Sequence, residues 1–82
     1  MSIIMYTKTG CPWCDGVRDL LNEKGIKFEE REVLSNTKYY QELVEKSGQT
    51  LTPTLDIDGE IIADSDKDEV SEYLKKKGLS GN

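Results

Sequence analysis

Two cysteines stand two residues apart in Cys11-Pro12-Trp13-Cys14, and the 82 residues contain no others. They follow an apolar run, Ile3-Ile4-Met5-Tyr6, and precede a helical pattern. A Cys-x-x-Cys at the junction of a strand and a helix reads as a redox pair. Pro12 suits the first helical position, because its fixed φ fits and its missing N–H would have had no partner there. Cys11 then falls at the N-cap, where unpaired backbone N–H groups and the positive end of the helix dipole converge. A sulfur there ionises more easily, and the thiolate is the reactive form. Cys14 lies one turn into the helix, close enough to close a short ring with Cys11. Cys11 is expected to be the nucleophile and Cys14 the resolving thiol.

The rest of the composition narrows the class. A chain of this size is expected to form one small domain over residues 1–82 and to bury only roughly 60–65% of its unfolded surface. Its net charge of −5 argues against binding nucleic acid, which needs a basic surface. No apolar run approaches the ~18 residues of a membrane span, and no basic stretch followed by a long apolar segment marks an export signal. One close cysteine pair in such a chain fits a catalytic or sensing couple in a reducing cytosol. A cytoplasmic monomer is therefore expected. With no histidine, a zinc site within one monomer would need both cysteines plus carboxylates, an unusual set, so no metal is expected there.

Ile3 to Thr7 reads as a central strand covered on both faces. A helix from Pro12 to about Lys24 carries Cys14, Val17, Leu20 and Leu21 on one face, with Gly25 as its C-cap. Ile26 to Val33 alternates at first and is charged in its second half, as an edge strand would be. Ser35-Asn36 can cap a second helix whose Tyr40, Leu43 and Val44 face inward and which Gly48 ends. Tyr39 and Tyr40 are assigned to helix packing. Gln49 to Thr52 is a polar loop. Thr54 to Asp58 is a half-buried strand with Asp56 and Asp58 on its wet side. Asp58-Gly59 signals a hairpin, with Glu60 to Ala63 returning. Ser65 is expected to open a third helix, with Asp66, Asp68 and Glu69 in its first turn and Lys75-Lys76-Lys77 in its last. Val70, Tyr73 and Leu74 form its apolar stripe, Gly78 stops it, and a frayed tail from Leu79 to Asn82 is expected. The order β-α-β-α-β-β-α suggests a four-stranded mixed sheet with helices on both sides.

With Cys11-Pro12-Trp13-Cys14 on the first helix, Thr52-Pro53 before the third strand and Asp64-Ser65 before the last helix, the chain resembles a glutaredoxin from Ile3 to about Gly78. The resemblance implies an α/β thioredoxin-like fold, strand order 2-1-3-4 flanked by three helices, and a cis bond at Thr52-Pro53. It implies thiol–disulfide exchange on protein disulfides and glutathionylated proteins, with glutathione as co-substrate and glutathione reductase acting indirectly. Lys8 matches the basic residue that glutaredoxins place three positions before the first cysteine, where it meets a glutathione carboxylate. Trp13 is expected as a partly exposed lid on the sulfur pair. Thr52 and Pro53 would present backbone to the substrate.

Two departures stand out. Where glutaredoxins usually carry Thr-Val-Pro, this chain has Leu51-Thr52-Pro53; where they often carry Gly-Gly, it has Ala63-Asp64. Asp64-Ser65 looks like the acidic-Ser pair that grips the γ-glutamyl end of glutathione in glutathione transferases. The implied glutathione site is thus Lys8, Trp13, Thr52, Pro53, Asp64 and Ser65. The departures leave one alternative, a related electron carrier reduced by thioredoxin reductase, and cluster-binding members of the resembling family suggest another, a dimer bridging an iron–sulfur cluster through Cys11 and glutathione.

Overall fold

A computed structural model describes residues 2–78. The chain runs β1 (Ile3–Thr7), α1 (Pro12–Glu23), β2 (Glu29–Glu32), α2 (Thr37–Ser47), β3 (Thr54–Ile57), β4 (Glu60–Ile62) and α3 (Lys67–Lys76). The sheet order is β2-β1-β3-β4, with β1 and β2 parallel and the other pairs antiparallel. This is the thioredoxin-like arrangement that the sequence led one to expect.

Alternation along β1 decides what each face holds. Ile3 and Met5 pair with Ile57 and Leu55 and form the larger core with Val17 and Leu21 of α1 and Val70 and Leu74 of α3. Tyr6, with Val33 and Leu43, forms a smaller cluster under α2. The α2 face is also polar. The Tyr6 hydroxyl donates to Glu42 at 2.9 Å and accepts from Lys46 at 2.7 Å. Lys46 reaches on to Asp56 at 2.8 Å, and Arg31 pairs with Glu42.

This polar layer explains two corrections. The inward face of α2 is turned by one residue from the expected one. Tyr39, Glu42, Leu43 and Lys46 meet the sheet, whereas Tyr40 and Val44 are exposed. Asp56 is not on a wet face, because Lys46 of α2 covers and pairs with it.

β2 is shorter than the expected Ile26 to Val33. The Ile26 N–H is held by Leu21 O at 2.9 Å, closing the end of α1, while Gly25 at φ +66 donates to Asn22 O. Ile26 and Phe28 pack against the larger core, and pairing with β1 begins at Glu29. At the hairpin, Asp58 (φ 51) and Gly59 (φ 92) both take the left-handed conformation that such turns require.

Ser65 does not cap α3. Its N–H and hydroxyl both go to Pro53 O, at 2.9 and 3.1 Å, so Asp66 takes the cap and accepts from the Glu69 N–H at 2.8 Å. Among the described residues no helix is long and apolar enough to cross a membrane. The expected tail at positions 79–82 lies outside the described residues.

Candidate active site

β1 delivers the chain to the rim of the sheet at Thr7, and Lys8-Thr9-Gly10 turn it back toward α1. Gly10 sits at φ +81, a conformation that a side chain would oppose. The Cys11 N–H then donates to Lys8 O at 3.3 Å, and Cys11 takes the N-cap with Pro12 beginning the helix. The Cys11 sulfur accepts from the Cys14 N–H at 3.2 Å, in the place where a Ser or Asp oxygen usually caps. Both cysteines are free; Cys11 is partly exposed and Cys14 is fully buried.

The loop before β3 supplies the second side. The Thr52-Pro53 bond is cis. Thr52 stands beside the sulfur: its hydroxyl donates to Cys11 Sγ at 3.6 Å, and the Cys11 thiol when protonated donates to Thr52 O at 3.8 Å. The two thiols are pushed in opposite directions. Partial burial pushes the Cys11 thiol up. The Cys14 thiol, the Thr52 hydroxyl and the N–H groups of Cys14 and Trp13 outweigh it and hold Cys11 below its ordinary value. Burial pushes Cys14 up to about 11, aided by its hydrogen bond to Cys11 and the negative charge there. Cys11 is thus the thiol that ionises first, and it is the one that solvent reaches.

Around Cys11 lies an open groove of about 630 Å³. Its lining comes from Lys8, Thr9 and Gly10, from Pro12 with Trp13, from Leu51 and Thr52, from 64–66, and from Leu34. Of the residues singled out from the sequence, Lys8, Cys11, Trp13, Thr52, Asp64 and Ser65 meet here. Cys14 and Pro53 do not line the groove; both are buried. Trp13 lines the groove and is 64% exposed. Asp64 is exposed, holds φ +50 and donates its N–H to the Thr54 hydroxyl at 3.4 Å.

Sequence reasoning missed Leu34 and Leu51, which are 65% and 51% exposed at the groove. The signal was present in principle: each is a large apolar residue in a loop, outside any helical or strand periodicity. Asp66 was seen as part of a helix start and not as groove lining.

A family model described as Glutaredoxin matches residues 3–62. The chain is 34% identical over 65 residues to Glutaredoxin 3 of Escherichia coli K12, covering 79% of this chain and 78% of that protein. It is 32% identical over 74 residues to an uncharacterized glutaredoxin-like 8.6 kDa protein in the rubredoxin operon of Clostridium pasteurianum, covering 90% and 99%. Among solved structures, the thioredoxin-like protein BC3987 superposes with a TM-score of 0.80 at 30% identity, covering 89% of this chain and 99% of that one.

Proposed function

The chain belongs to the glutaredoxin family, and from that premise we propose that Cys11 and Cys14 carry out its thiol–disulfide oxidoreductase chemistry with glutathione as co-substrate. The observation that carries the assignment of roles is the capped Cys11 sulfur, which accepts the Cys14 N–H at the head of α1.

The Cys11 thiolate attacks one sulfur of a substrate disulfide. A Cys11–substrate disulfide forms, the substrate's own S–S bond breaks, and its other sulfur leaves as a thiolate that takes a proton from water. The Cys14 thiol is held back at first, because burial, the hydrogen bond to Cys11 and the charge on Cys11 all raise it. Two of those three causes vanish when Cys11 enters the mixed disulfide. Cys14 then loses its proton more readily, attacks Cys11 Sγ and releases the second substrate thiol. The Cys11–Cys14 disulfide is reduced by two glutathione thiols, which leave as glutathione disulfide. Where the substrate carries a single glutathione, a second glutathione replaces Cys14 in the last step.

The groove supports glutathione as the co-substrate. Lys8 makes no ion pair among the described residues, so its charge is available to a carboxylate. Asp64 offers an exposed carboxylate to an ammonium group. Thr52 presents backbone to an extended peptide, and Trp13 lines the groove beside Cys11. Ser65 and Pro53 act underneath: both Ser65 donors are given to Pro53 O, which ties the approach to α3 to the Thr52 loop. The protein works as a monomer in the cytoplasm, where a glutathione pool kept reduced by glutathione reductase resets it and protein disulfides draw electrons from it.

A coupled assay tests this. NADPH oxidation with glutathione and glutathione reductase, on a glutathionylated peptide, is the expected activity. Turnover only with thioredoxin reductase in place of glutathione and its reductase would overturn the donor assignment.

A further inference from the structure

We propose that Glu32 is a positioning residue for the groove, its carboxylate pinning the loop that carries Lys8 to the loop that carries Leu34. Glu32 is the last residue of β2 and pairs in register with Thr7, the last residue of β1. One backbone bond continues the ladder beyond them, Val33 N–H to Thr7 O at 2.9 Å. From there the side chain takes over. Oε2 accepts from the Thr9 N–H at 2.7 Å and the Thr9 hydroxyl at 3.0 Å. Oε1 accepts from the Ser35 N–H at 2.7 Å and the Ser35 hydroxyl at 2.9 Å. Each carboxylate oxygen thus holds one loop, and bonds to an ionised acceptor are the stronger kind.

The two loops are neighbours of the groove on both sides of this join. Lys8 and Thr9 line it from one loop, and Leu34, adjacent to Ser35, lines it from the other. A carboxylate on the same rim as a lysine would ordinarily be drawn into an ion pair with it. Here four neutral donors occupy Glu32, and Lys8 stays without an ion pair among the described residues. Glu32 therefore fixes where the Lys8 backbone sits without cancelling the Lys8 charge. This rests on the glutathione reading of the groove, and it adds a residue that touches neither substrate nor sulfur.

Two variants and two readouts test it. Glu32→Ala removes both anchors; Glu32→Gln keeps the size but turns one acceptor into a donor, so the backbone N–H of one loop loses its acceptor while that loop's hydroxyl can still accept from the new NH2. In Glu32→Ala, hydrogen exchange at the Thr9 and Ser35 amides should accelerate together, and in Glu32→Gln at one of them. With a glutathionylated peptide as oxidant, KM should rise roughly tenfold in Glu32→Ala while kcat stays within about twofold, the effect of losing positioning and not chemistry. If Glu32→Ala does not fold, the kinetics of Glu32→Gln decide, with a smaller rise in KM expected. Unchanged KM, or a fall in kcat at constant KM, overturns the proposal, as do Thr9 and Ser35 amides that exchange as in the parent. A parent protein that fails to turn over the glutathionylated peptide would instead overturn the glutathione reading itself.

Discussion

The Thr52 hydroxyl lies 3.6 Å from the Cys11 sulfur, within reach to donate to the thiolate. A valine in this place, as the Thr-Val-Pro pattern of the resembling family has, would put a methyl group there. The Thr52 hydroxyl is one of the groups that hold Cys11 low. Thr52→Val is expected to raise the Cys11 pKa, read from thiolate absorbance or alkylation rate against pH. Thr52→Ser should restore it. Equal titration of parent and Thr52→Val would mean that the hydroxyl contributes nothing.

The opposed acidities of the two thiols predict an alkylation pattern. The first equivalent of iodoacetamide should react at Cys11, and Cys14, which is buried and held up to about 11 while Cys11 is free, should react more slowly and only after it. Cys14→Ser should keep the reduction of glutathione mixed disulfides and impair the two-thiol reduction of protein disulfides; Cys11→Ser should abolish both. A dead Cys14→Ser enzyme would reverse the roles.

The start of α3 separates a cap from a tether. Asp66→Ala removes the cap bond to Glu69 and is expected to cost about 1 kcal/mol. Ser65→Ala removes a buried bond to Pro53 O and should cost about as much. In a domain of this size each should appear as a drop in Tm of about 4–8 °C. A neutral Asp66→Ala in thermal unfolding would return the cap to Ser65.

Glu32 should leave a mark on acid stability. The Ser35 and Thr9 N–H groups hold its carboxyl at about 2, against an ordinary value of 4.5. A carboxyl that titrates lower in the folded chain contributes stability above its unfolded value and loses it as pH falls toward the folded one. Denaturant unfolding from pH 5 to pH 2 should therefore fall less steeply for Glu32→Gln than for the parent. Parallel curves would show that the four bonds do not survive in solution.

Much of the fold was legible because local signals and the burial pattern agree. Ile3 to Thr7, the Pro12 helix start and Asp58-Gly59 each state their structure without help from distant residues. The disagreements arise where a side chain answers to something far away in sequence. Ser65 would cap a helix in isolation, but Pro53 O takes both of its donors. Tyr40 and Val44 fit an apolar stripe, yet the sheet face that α2 meets offers Tyr6, Arg31 and Asp56, which select Glu42 and Lys46 instead. At the candidate site, cysteine spacing gave the sulfurs their helix positions, and the family resemblance supplied Lys8, Thr52 and Asp64. Neither could reveal Glu32, whose partners lie 23 residues before it and three after.

The open rims of the sheet have a bearing on what this protein can safely handle. A bare sheet rim invites exposed apolar segments of other chains to add as extra strands. Here one rim is β2, four residues long and reading Glu-Glu-Arg-Glu, and the other is β4, three residues long. A sticky client finds little to zip onto at either rim.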